Sequence, residues 1–112
     1  MEKCFNLLLA NENAEESNLI SEKLTKEDCI SNIDIVTNGK DASECISKNT
    51  YDMVILDLVL PEIDGFELIE QLKSINMQTK IIVISSLSSD IFIKKVSSLG
   101  INYYMLKPIS PE

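Results

Sequence analysis

Apolar positions along this chain fall into two alternating kinds of run. Residues 4–10 form an apolar block of strand length, Met53–Asp57 is apolar on both faces, and Lys80–Ser85 contains Ile81-Ile82-Val83-Ile84. Such blocks suit parallel strands covered by helices. Between them the apolar residues recur at helical spacing. Leu19, Ile20 and Leu24 follow Asn13, a good N-cap with Ala14-Glu15-Glu16 after it, and Ala42, Cys45 and Ile46 follow the break at Asn38-Gly39. Phe66, Ile69, Leu72 and Ile75 follow a turn over residues 61–65, and Phe92, Val96 and Leu99 precede Gly100, a helix-closing residue. Residues 33–37 are a short β-branched run and supply a second strand, and residues 101–107 supply a fifth.

Strands alternating with helices predict an α/β fold: a doubly wound, five-stranded parallel sheet with helices on both faces. The sequence of 112 residues fits one domain, residues 1–112. It stops at Ser110-Pro111-Glu112, where a fifth helix is expected to cover the rest of the sheet, so a truncated domain lacking that helix is anticipated.

Composition narrows the chemistry. Hydrophobic residues make up 45% and charged residues 25%, which suits a folded globular chain. No apolar run approaches the roughly 18 residues of a membrane span, and the N-terminus lacks a signal-peptide pattern, so a cytoplasmic, non-membrane location is expected. All ten basic residues are lysine, against eighteen acids, and the net charge of -8 argues against direct nucleic-acid binding. Cys4, Cys29 and Cys45 show no CxxC spacing and read as reduced. Histidine is absent, which removes the usual triads and zinc sites and leaves carboxylates, hydroxyls and lysine.

In an open α/β sheet, ligands bind beyond the carboxyl ends of the strands. There lie Asn11 and Glu12 after strand one, Asp57 ending strand three, Ser85 and Ser86 ending strand four, and Lys107 ending strand five. Glu12 and Asp57 can offer oxygen ligands to Mg²⁺, with Asn11 holding one of its waters. Lys107 and the Ser85 hydroxyl can each engage a phosphoryl oxygen. With no histidine or thiol at these ends, the Asp57 carboxylate is the expected nucleophile towards phosphorus, giving an acyl phosphate. Glu15 and Glu16 read as solvated residues of a helix first turn, and only Glu12 is expected at the site.

Asp57-Leu58-Val59-Leu60-Pro61-Glu62-Ile63-Asp64-Gly65, together with Lys107-Pro108 closing the last strand, resembles the receiver domain of two-component response regulators over essentially the whole chain up to Pro108. The resemblance implies a flavodoxin-like (CheY-like) fold and a phosphoryl group accepted on Asp57 from a phosphohistidine of a histidine kinase or phosphotransfer protein. It implies Mg²⁺ held by Glu12, Asp57 and the Val59 backbone carbonyl, with Lys107 bridging to the phosphoryl group. Ser85 and Tyr104 take the places of the switch residues, acting on a surface near helix four and strand five that serves an output domain or a homodimer. The chain is then a phosphoprotein of a phosphorelay that regulates transcription and hydrolyses its own acyl phosphate slowly; it is not a turnover enzyme. Ala10-Asn11-Glu12-Asn13 and the all-lysine basic set further resemble the sporulation regulators of clostridia termed stage 0 sporulation protein A.

Two departures qualify the pattern. Asn11-Glu12 stands where the family usually has two acids, which predicts weaker Mg²⁺ binding, and Val59 and Leu87 are apolar where a polar side chain could position water, which predicts slow autodephosphorylation. The competing readings are a phosphorylation-independent pseudo-receiver acting as an interaction module, and a phosphatase of the haloacid dehalogenase type. The latter expects an acid two residues after the nucleophile, where Val59 stands.

Overall fold

The computed structural model describes residues 5–26, 29–75, 78–86 and 89–107, without the Phe92 side chain. Cys4, Leu87, Pro108 and the terminal Ser110-Pro111-Glu112 lie outside the described residues. The elements run β1 (Phe5–Ala10), α1 (Ala14–Leu24), β2 (Ile30–Val36), α2 (Gly39–Lys48), β3 (Met53–Asp57), α3 (Gly65–Ile75), β4 (Lys80–Ser85), α4 (Asp90–Ser97) and β5 (Tyr103–Leu106). All pairings are parallel and the strand order is β2-β1-β3-β4-β5. The anticipated doubly wound sheet is therefore observed, with its order reversing between β1 and β3.

Helix starts follow local chemistry. The Asn13 side chain accepts from the Glu16 N–H at 3.0 Å, and the Asn38 side chain accepts from the Asp41 N–H at 2.8 Å. Each asparagine thereby satisfies a donor that the first helical turn leaves unpaired. Asn38-Gly39, expected as a break, is thus the start of α2 itself. Gly39 is required there for space: its N–H donates to the Pro61 carbonyl at 2.9 Å, and a Cβ at this position would overlap the Ile63 carbonyl. Gly65 likewise lets α3 begin against the end of β3, where a Cβ would come within 2.8 Å of the Asp57 carbonyl oxygen.

The larger core lies on one face of the sheet. It joins Leu8, Val54, Leu56 and Val83 to Ile46 of α2, Leu68 and Leu72 of α3, and Val96 of α4. The opposite face carries a smaller cluster of Leu7, Leu9, Ile55 and Ile84, with Ile20 and Leu24 of α1 packed on it. Beside α1 this face holds an open apolar groove of about 350 Å³, bounded by Leu19, Ile20, Ile55, Ile82, Ile84 and Met105 among others. No described helix is long and apolar enough to cross a membrane.

Two strands differ from the expected bounds. β2 begins at Ile30, not Ile33, because Asn32 pairs with Asn6 of β1 and their side-chain amides bond at 2.8 Å. Polar residues outside the β-branched run are thus carried into the strand by edge pairing. β5 begins at Tyr103, because the Asn102 side chain takes the Ile81 N–H at 2.8 Å in place of a backbone carbonyl.

Candidate functional site

The carboxyl ends of β1, β3 and β5 bring three of the expected residues into one hydrogen-bonded cluster. Asn11 follows β1 directly and is fully buried, its backbone N–H donating to the Val36 carbonyl at 3.1 Å. Asp57 is the last residue of β3 and is 6% exposed. Lys107 follows β5, placed by a backbone hydrogen bond to the Ser85 carbonyl at 2.8 Å. Its ammonium lies 2.6 Å from Asp57 Oδ2 and donates to Asn11 Oδ1 at 3.0 Å. The other Asp57 oxygen, Oδ1, accepts from the Val59 N–H at 3.0 Å, so both carboxylate oxygens are held.

Glu16 completes the cluster, contrary to the expectation that it would be solvated. Its Oε1 sits 2.9 Å from the Lys107 ammonium and accepts from the Asn11 side-chain amide at 2.7 Å. The first-turn pattern accounts for Glu16 at a helix N-terminus but carries no information about Lys107, 91 positions away. Burial pushes the Glu16 carboxyl up, yet the Lys107 and Asn11 hydrogen bonds outweigh it and hold the group below the usual carboxylate range. Burial likewise pulls the Lys107 ammonium down, while Asp57 and then Glu16 more than offset this and leave it above its ordinary value.

The remaining expected residues take up different positions. Glu12 is exposed and stands outside this network. Val59 is 55% exposed, with only its backbone turned to Asp57. Ser85 is fully buried at the end of β4, in register with Leu106. Tyr104 is half-buried against the larger core while Tyr103 is 62% exposed, so the two point to opposite faces as strand alternation requires.

Among the described residues no three acidic, cysteine or histidine side chains converge to hold a metal. The oxygens that do converge come from Asp57, Glu16 and the Asn11 amide, and they surround a cationic nitrogen. An all-oxygen set with two carboxylates suits a hard cation such as Mg²⁺, which keeps several of its own waters. Such a cluster can stabilise charge on a phosphoryl group while presenting a carboxylate to phosphorus.

A second polar group lies beside the larger core, away from this cluster. The Tyr51 hydroxyl donates to Asp34 Oδ2 at 2.6 Å, near Cys45, and burial followed by the Asp34 bond raises its pKa well above the ordinary phenol value. Cys29 and Cys45 are free thiols.

The chain resembles known proteins over nearly all of its length. Over 96% of its length the chain is 33% identical to "Probable transcriptional regulator ycf29" of Porphyra purpurea, of which it spans 52%. Over 71% of its length it is 40% identical to response regulator ArlR of Staphylococcus saprophyticus, of which it spans 36%. The chain thus covers about half or less of these curated relatives. The Francisella response regulator 1452 receiver domain superposes with a TM-score of 0.84 at 27% identity, covering 96% of this chain and 87% of that one. The family model described as response regulator receiver domain matches residues 7–112, and the chain belongs to that family.

Proposed function

We propose that this receiver domain accepts a phosphoryl group on Asp57 from a phosphohistidine of a histidine kinase or phosphotransfer protein. The supporting observation is the buried Asp57 carboxylate held 2.6 Å from the Lys107 ammonium at the sheet's carboxyl end. In the transfer, an Asp57 oxygen forms a bond to phosphorus as the phosphorus–nitrogen bond breaks, and the imidazole leaves with the electron pair. Lys107 stabilises the charge spread over the phosphoryl oxygens, and the Val59 N–H keeps the carboxylate oriented.

Mg²⁺, when bound beside Asp57, supplies further charge neutralisation for the phosphoryl oxygens. Asp57, the Val59 carbonyl and Glu12 are the ligands suggested by the family resemblance, with Asn11 acting through water. The chain's own contribution is to hold Asp57 and Lys107 together and to place Ser85 at the end of the adjoining strand. Engagement of the new phosphoryl group by Ser85, coupled to Tyr104, would bias a two-state surface near α4 and β5 that an output domain or a second copy reads. The names of the relatives support a role in transcriptional regulation. The likeness of residues 10–13 to sporulation regulators supports sporulation as the process, and a role as a phosphorylated signal carrier, not a turnover catalyst, follows from the same reading.

The test is intact-mass measurement after incubation with acetyl phosphate, with and without Mg²⁺, on the chain and on Asp57→Asn. A Mg²⁺-dependent gain of one phosphoryl group that disappears in the variant is expected. A folded chain that gains none at millimolar Mg²⁺ would favour the phosphorylation-independent interaction module, a reading supported by the neutral Asn11 and the outward Glu12.

A further inference from the structure

Glu16 lies in the first turn of α1, yet its carboxylate reaches back across the end of the sheet. Oε1 contacts two groups of the cluster at once, the Asn11 amide at 2.7 Å and the Lys107 ammonium at 2.9 Å. Asn11 Oδ1 and Asp57 Oδ2 take the same ammonium at 3.0 and 2.6 Å. Three oxygens carried by β1, β3 and α1, or by the residues next to them, therefore enclose one cationic nitrogen. Because Asn11 is neutral, the negative charge in this enclosure comes from Asp57 and Glu16, and two carboxylates against one ammonium leave the cluster net negative.

We propose that Glu16 is the second anionic group of the acceptor site, supplying from α1 the charge that a carboxylate at position 11 would carry, and so strengthening divalent-cation binding beside Asp57. The inference rests on the reading of Asp57 as a Mg²⁺-assisted acceptor. Glu16 differs from an incidental surface ion pair in what its departure would leave behind. Asn11 is fully buried, its Oδ1 engaged by Lys107 and its Nδ2 by Glu16, so swinging Glu16 outward would strand a buried donor. That penalty fixes the carboxylate in the site. Its neighbours Glu12 and Glu15 are exposed and carry no such tether.

Glu16 is thus a positioning residue, acting on the cation site through charge and through the orientation of Asn11 and Lys107. The test is a titration of magnesium chloride at fixed ionic strength, followed by the backbone amide signals of residues 57–59. Glu16→Gln keeps the shape and an acceptor for Asn11 but removes the charge, and the dissociation constant for Mg²⁺ should rise about tenfold, as expected for neutralising a half-buried carboxylate near a divalent ion. Glu15→Gln should leave it unchanged. Moving the acid, with Asn11→Asp added to Glu16→Gln, should restore the affinity, and Glu16→Gln should cost less affinity in an Asn11→Asp background than in the parent, a non-additivity that a merely structural role for Glu16 would not produce. Circular dichroism checks each fold, and Glu16→Ala, which removes the Asn11 acceptor along with the charge, should weaken Mg²⁺ binding at least as much as Glu16→Gln.

Unaltered Mg²⁺ affinity in Glu16→Gln, or no rescue by Asn11→Asp, would overturn the inference. The acetyl phosphate experiment reads the underlying function separately. A chain whose Mg²⁺ affinity depends on Glu16 but which takes up no phosphoryl group upholds the inference and sinks the acceptor reading. A chain phosphorylated on Asp57, with Mg²⁺ affinity indifferent to Glu16, does the reverse.

Discussion

Gly39 and Ile63 meet backbone to backbone, the start of α2 resting directly on the loop that leads from β3 into α3. No side chain fits between them. Gly39→Ala would force the Ile63 carbonyl aside and loosen the Gly39 N–H bond to Pro61, a case of overpacking against rigid backbone. Chemical denaturation should show a loss of about 2 kcal/mol or more. An alanine variant as stable as the parent would mean that the loop yields freely.

The Asp57–Lys107 pair sets a charge against a buried carboxylate. Lys107→Met leaves Asp57 without its cation and should lower stability by about 2 kcal/mol, less than for a fully buried pair because Lys107 is partly exposed. Adding Asp57→Asn to that variant should recover much of the loss, since the uncompensated charge is gone. The double-mutant cycle of unfolding free energies measures this, and strict additivity would show that the pair is not coupled.

Tyr51 predicts an alkaline weakness. Its folded pKa is raised by burial and by the bond to Asp34, so the folded state keeps the phenolic proton after the unfolded chain has released it. The sign follows from linkage: stability is intact below the ordinary phenol pKa of 10.0 and falls as pH rises above it. Denaturation at a series of alkaline pH values should show this decline in the parent. Tyr51→Phe should start less stable by about 1 kcal/mol, having lost the hydrogen bond, and should decline less steeply.

Val59 stands beside Asp57 with its apolar side chain in solvent. It offers no group to orient water towards an acyl phosphate on Asp57, so Val59→Asn should shorten the phosphorylated lifetime several-fold, roughly the contribution of one positioned polar group. Mass spectra taken over time after removal of the phosphoryl donor give the two decay rates. Equal rates would place the control of hydrolysis elsewhere.

Much of this architecture is written in local pattern. The bounds of β3 and β4 are legible because their apolar runs are short, unbroken and rich in β-branched residues, and α1 is legible from its Asn13 cap. The strand-end position of Asp57 and Lys107 followed from the same pattern, because the order of strands and helices alone dictates which loops share one end of the sheet. The place of Glu16 in the cluster is hidden for the converse reason. Charge at a helix start is explained locally by the helix dipole, and its partner Lys107 is brought near only by the pairing of β4 with β5. The early start of β2 is not legible in the sequence because Ser31 and Asn32 are strand residues by virtue of the pairing with β1, and not by propensity. Likewise Asn102 interrupts β5 through a side-chain bond to Ile81 that no periodicity reveals.

The position of β5 also governs when the cluster can come into being. Asn11 and Lys107 are separated by 96 positions, and the lysine enters only after the last strand has docked on β4. During synthesis the amino-terminal strands leave the ribosome first. A nascent chain therefore holds Asp57 and Glu16 before Lys107 can join them. The paired carboxylate is a property of the finished sheet, and a half-made domain has no means of presenting it.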